Sequence, residues 1–167
     1  ILVVHPSLPV KTVKEFIALA KKRPGEIIYG SAGNGSFVHL TMALLNSMTD
    51  TKMVHVPYKG GGPLGIAITS GEIQAMIIGV AAVIPQIMAN RIRPLAVTSA
   101  ERTTQFPEIP TLAEAGVPGY EFTAWIGSFV PAGTARAIVG RLNAKLKKAV
   151  EHSEVAKTLS AQTLDFK

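Results

Sequence analysis

The chain has 167 residues, 47% of them hydrophobic and 17% charged, and a formal charge of +6. This length and balance exclude a disordered polymer and suit one domain, or two small lobes with a real core. The lack of cysteine excludes disulfides, thiol nucleophiles and thiolate metal sites, and no apolar run approaches the roughly 20 residues of a membrane-spanning helix.

Residues 1–5 form a short β-branched run closed by Pro6, a predicted strand. The run opens the chain with neither Met nor a signal peptide ahead of it, which reads as a fragment or a processed chain. Residues 11–25 read as a helix with both ends marked. Thr12 and Glu15 form a capping box, Val13, Phe16, Ile17 and Ala20 an apolar stripe, and Pro24 with Gly25 a stop. A strand is predicted over 27–29, then a glycine-rich loop, then a helix from Ser36 with Phe37, Leu40, Leu44 and Met48 on one face. "KMVHVPY" is a strand, "GGPLGIAITSG" a turn into a short helix and "EIQAMIIG" another strand. A helix over 81–89 follows, ending at Asn90, and "IRPLAVTS" makes a further strand. Strands alternating with short helices predict a parallel α/β sheet.

After Ser99 the texture becomes irregular, with Pro107, Pro110 and Pro118 and a short predicted helix over 111–115. "TAWIGSFVPAG" reads as a strand. The longest helix follows Thr134 as N-cap, with a stripe of Ala135, Ile138, Val139, Leu142, Leu146, Ala149 and Val150. The basic clusters at 11–23 and 136–148 fall on helices without interleaved aromatics, so they read as solvated faces and not as a nucleic-acid platform.

In an open parallel sheet, ligands bind beyond the carboxyl ends of the strands. Three loops there lead into helix N-termini, where unpaired N–H groups attract an anion: residues 30–39, 58–63 and 79–82. Ser36 caps its helix or donates to a ligand, and His39 stands one turn in. No Lys follows the last glycine as a nucleotide loop requires, and Tyr29 stands where a nucleophile elbow around Ser31 needs glycine. Ser36 with His39 leaves a serine hydrolase as the enzyme alternative, without an acid to orient the histidine. The four histidines lack His-x-x-x-His spacing, so no metal is expected, and no cofactor is expected either.

"YGSAGNGSFVHL", "HVPYKGGGP", "RPLAVTSAER", "PEIPTLAEAGVPGYEFTAWIG" and "VPAGTARAIVGRLN", in this order, resemble the solute-binding receptors of tripartite tricarboxylate transporters, the Bug family of bacterial periplasmic proteins. The resemblance implies a type II periplasmic-binding-protein (Venus-flytrap) fold. It implies an internal fragment holding mostly one lobe: residues 1–124 the second ligand-binding lobe, and 125–167 the returning, incomplete part of the first. A secreted, non-catalytic receptor follows, one that captures a small carboxylate for membrane transporter subunits; a carboxylate sensor or adaptor is the alternative. The ligand residues it implies are Ser31, Ala32, Gly33, Asn34, Gly35, Ser36 and His39, with Tyr58, Lys59 and Gly60 and then Gly79 and Ala81 as the remaining wall. Four positions depart from the family pattern: Ala43, Ala67, Gly79 and Ala135. At Gly79 a frequent Asp is missing, which disfavours an amine-bearing ligand.

Overall fold

The computed structural model describes residues 1–104, 106–125 and 127–161, without the side chains of Ser160 and Ala161. These fall into two compact units, Ile1–Ala124 and Trp125–Lys167.

The first unit is a five-stranded sheet with helices on both faces. Its elements are β1 (Leu2–Val4), α1 (Val13–Lys22), β2 (Ile28–Ser31), α2 (Phe37–Thr49), β3 (Val54–Pro57), α3 (Gly61–Ser70), β4 (Ala75–Ile77), a 3₁₀ turn (Val80–Ala82), α4 (Ile84–Met88) and β5 (Arg93–Ala96). The strand order is β3-β2-β4-β1-β5. β2 pairs in parallel with β3 and β4, whereas β1 runs antiparallel to both its neighbours, β4 and β5. The sheet is therefore mixed, and the expected all-parallel sheet is corrected at β1. This strand is buried on both faces. A continuous apolar run carries no alternation and no direction, so hydropathy cannot tell which way it runs.

Successive residues of β1 feed opposite faces. Leu2 and Val4 join a core with Val13, Phe16 and Ala20 of α1 and Met42 and Leu45 of α2. Ile1 and Val3 join a second core with Leu64, Ala67 and Ile68 of α3. The predicted cap of α1 is present in full: Thr12 Oγ1 accepts from the Glu15 N–H at 3.1 Å, and Glu15 Oε2 accepts from the Thr12 N–H at 3.2 Å. Asn90 takes the left-handed conformation expected of it, φ 55°.

Several elements differ from expectation. The predicted face of α2 exists but points outward: Phe37, Leu40 and Met48 are exposed, and Val38, Thr41, Met42 and Leu45 are buried instead. A helix apolar nearly all round leaves its orientation open to sequence reading. Residues 111–115 form a hydrogen-bonded turn and not a helix, closed by Thr111 and Glu114, whose side chains each accept the other's backbone N–H. Tyr120, beyond that turn, donates its hydroxyl to the Thr41 carbonyl at 2.8 Å and is fully buried against α2.

The second unit holds α5 (Arg136–Glu151) and α6 (Ser153–Ala161). The strand predicted over 123–133 does not form among its described residues, and Ile126 lies outside them. Ala135, not Thr134, is the N-cap of α5, because the Thr134 hydroxyl donates to the Pro131 carbonyl at 2.8 Å instead. The predicted stripe lies on α5, with Ile138, Val139, Leu142 and Leu146 exposed.

Candidate functional site

Because β2, β3 and β4 are parallel, the segments that follow them emerge at one edge of the sheet. Those segments contain every site residue expected from sequence. Residues 31–36, 58–60 and 79–81 hold no carboxylate, and Lys59 is their one formal charge at neutral pH. The fold brings the first two together through a 2.8 Å hydrogen bond from the Tyr58 N–H to the Ser31 carbonyl. Gly79 and Ala81 lie on the same edge after β4, where Gly79 caps the 3₁₀ turn.

β2 extends through Gly30 and Ser31, two residues further than predicted. Gly30 is needed because a Cβ there would lie within 2.5 Å of Leu64 Cδ1, and closer still to Ile73 Cδ1. Ser31 is fully buried. Its Oγ donates to the Gly33 carbonyl at 3.0 Å, accepts from the Gly33 N–H at 3.2 Å and lies 2.6 Å from His55 Nε2. Gly33 has φ +128° and Gly35 has φ +75°, conformations that side chains rarely adopt. Ser36 is the N-cap: its hydroxyl donates to the Gly33 carbonyl at 2.7 Å and accepts from the His39 N–H at 3.3 Å. The Gly35 N–H donates to His39 Nδ1 at 3.1 Å.

The loop's backbone donors thus divide into two groups. Those of Gly33, Gly35 and Ser36 are spent inside the loop. Among the described residues, those of Ala32, Asn34, Phe37 and Val38 meet no acceptor of the chain. Four free N–H groups around the N-terminus of a thirteen-residue helix favour an anion, through both hydrogen bonding and the helix dipole.

The hydrolase alternative loses its geometry here. The Ser36 proton goes to the Gly33 carbonyl, and His39 Nδ1 is occupied by the Gly35 N–H. At this edge the close serine–histidine pair is Ser31 with His55, and its serine is sealed from solvent.

His55 is the residue that sequence reading missed. It pairs with Tyr29 in parallel register, so it shares a face with Tyr29 and, one pleat on, with Ser31. Alternation along "VHVP" was the available signal, but only with the β2–β3 register known. Its ring stacks on His39 at 3.9 Å between centroids and on Tyr29 at 5.0 Å. Burial, and next the neighbouring His39, lower the pKa of His55. The unfolded chain then binds a proton there at a higher pH than the folded one. Stability is therefore full above about pH 6.5 and declines as the pH falls through that value toward the lowered one. Denaturant melts at pH 7.5 and 5.5 should show this loss, and His55→Phe should narrow it; an equal pH response in both proteins would count against it.

Tyr58 donates its hydroxyl to Glu72 at 2.6 Å. Burial first, then this bond and the carboxylate charge, push its pKa up to about 12. It remains a neutral wall beside Gly30. A depression of about 340 Å³, lined by Ala20, Lys21, Pro24, Asp50 and Lys52, lies where α1 and α2 end, away from this edge. No group of three or more metal-ligating side chains occurs among the described residues.

A sheet covered by helices on both faces, with these loops at its edge, is the architecture of a periplasmic-binding-protein lobe. Structures of that class match closely: the R. palustris protein solved with adipate (TM-score 0.88, 38% identity, 96% of this chain and 54% of that one), and MatC from Rhodopseudomonas palustris with bound malate (TM-score 0.90, 29% identity, 96% and 55%). The chain belongs to the tripartite tricarboxylate transporter family receptors, whose family model matches residues 1–166. Its relatives include the UPF0065 protein in the tcbD-tcbE intergenic region of Pseudomonas sp. (strain P51), 39% identical over 95% of this chain and 48% of that protein. BugT of Bordetella pertussis is 33% identical over 97% and 50%. The chain thus spans about half the length of these relatives.

Proposed function

We propose that this chain supplies the carboxylate-gripping lobe of a periplasmic receptor, which captures a small carboxylate and hands it to a tripartite tricarboxylate-type transporter in the membrane. The observation that carries this reading is the set of free N–H groups at Ala32, Asn34, Phe37 and Val38, on a sheet edge whose loops hold no carboxylate of their own. Preorganised backbone donors bind an anion with little rearrangement. Residues 58–60 and 79–81 form the rest of this lobe's wall. Residues 125–167 are the returning part of the other lobe, and the exposed stripe of α5 is the face on which that lobe is completed. Adipate and malate in the two similar structures support a small carboxylate as the ligand. No helix among the described residues is long and apolar enough to cross a membrane, and a receptor of this kind relies on transporter subunits for passage.

The test is thermal melting of a receptor of full family length carrying this chain, against adipate, malate, succinate, citrate and glutamate. A ligand at 100 times its dissociation constant adds about 2.7 kcal/mol of stability, which raises the melt by several degrees. Plain carboxylates should give the shift. Glutamate should give none, because Gly79 offers its ammonium group no partner. A flat panel with folded, ligand-stripped protein would remove the receptor reading.

A further inference from the structure

We propose that His39 and His55 are positioning residues of the anion loop, holding its two ends through one ring-stacked pair. His55 fixes the Ser31 hydroxyl where β2 ends, and His39 takes the Gly35 N–H where α2 begins. The identity of this loop as the ligand loop rests on the function proposed above.

The hydrogen bonds at the two ends of the loop suit one tautomer of each ring. Ser31 Oγ carries one hydrogen, and the Gly33 carbonyl at 3.0 Å can only accept it. The oxygen's two lone pairs then take the Gly33 N–H and His55 Nε2–H. With His55 donating from Nε2, the Ser31 hydrogen is left for the Gly33 carbonyl, which also receives the Ser36 hydroxyl and the Ser36 N–H. His39 Nδ1 receives the Gly35 N–H, so its hydrogen is on Nε2 as well. With the centroids 3.9 Å apart and the ring planes within 10° of parallel, two imidazolium charges would repel strongly.

The surroundings offer nothing to offset such charge. β2, β3, α2 and residues 31–36 contain no Asp, Glu, Lys or Arg. Tyr29 closes the stack, and its own ionisation is disfavoured by burial. Beyond β3, Lys59 is a cation and the Tyr58 hydroxyl is taken by Glu72. A proton on His39 Nδ1 would oppose the Gly35 N–H and release it. That group would then join the free donors of the loop, so His39 determines whether the Gly35 N–H is spent inside the loop.

The test needs no ligand. In the full 167-residue chain, nitrogen NMR at pH 7.5 should show both rings protonated on Nε2, with the Gly35 N–H coupled to His39 Nδ1. His39→Phe keeps a stacking ring without the acceptor and should speed amide exchange at Gly35 about fivefold, the scale of one hydrogen bond. His39→Gln, whose side-chain carbonyl can accept, should restore protection. A His39 protonated on Nδ1 at pH 7.5 would overturn the proposal, and so would Gly35 exchange unchanged by His39→Phe. If that variant fails to fold, the wild-type spectrum decides alone. A flat carboxylate panel would remove the receptor reading and leave this result standing; the wrong tautomer would do the reverse.

Discussion

Gly30→Val is expected to lower the unfolding free energy by about 3 kcal/mol, the upper part of the range for overpacking a filled core. The added Cβ would overlap Leu64 Cδ1 and Ile73 Cδ1, and both side chains are fully buried with little room to retreat. The valine methyls would press further into the same core, toward the Tyr58 ring that already lies 3.4 Å from the Cβ position. Because Gly30 immediately precedes Ser31, the displacement reaches the anchor of the loop as well. Urea melts of the two proteins measure the difference. A loss under about 1 kcal/mol, well below that range, would mean that α3 gives way easily and that the second core is looser than its burial indicates.

The second large effect concerns affinity. Gly33→Val should weaken binding of whichever carboxylate shifts the melt by about 100-fold, the equivalent of two charge-assisted bonds near 1.5 kcal/mol each. The position has φ +128°, and a Cβ there would meet only the Tyr58 carbonyl at 3.7 Å. The valine therefore fits in space but not in backbone conformation, and the loop must rearrange to relieve it. Ala32 and Asn34, whose N–H groups are free, flank the position on either side. Gly25→Val supplies the control. Its φ is +79° with open space around it, in the turn between α1 and β2, so it carries similar strain far from the sheet edge. Calorimetric titration should separate the two variants. Equal affinities would mean that the loop glycines only turn the chain and that the grip lies elsewhere.

Local signals were the ones that could be read from the sequence. Thr12, Glu15, Pro24 and Gly25 mark the ends of α1 because caps and breakers act within one turn. Ser36 opened α2 for the same reason. The three segments of the site were legible from small residues between an apolar run and a helix. Long-range facts were not. The direction of β1 depends on partners more than seventy positions away, Ile77 and Arg93 among them. The outward turn of Phe37 and Leu40 depends on which face of α2 the sheet claims. Thr134 had the chemistry of a cap, yet the nearby Pro131 carbonyl took its hydroxyl. His55 gained its role only through its register with Tyr29 and the approach of α2. A pair drawn from two elements leaves no spacing to find along one of them.

The reversed strand, between β4 and the edge strand β5, has a consequence for how the lobe assembles. β1 precedes β2, β3, β4 and β5 in the chain, yet it pairs only with β4 and β5. Its residues are divided between both cores. Until the chain has been extended past Ala96, β1 lacks a neighbour on one side, and neither hydrophobic layer can close. Pairings of such wide separation slow folding, because loop closure must precede the contacts that reward it. Once made, they join β1 to Arg93–Ala96 and fasten the two layers to each other. The edge that carries the loops therefore rests on a seam closed late, and its layers must loosen together.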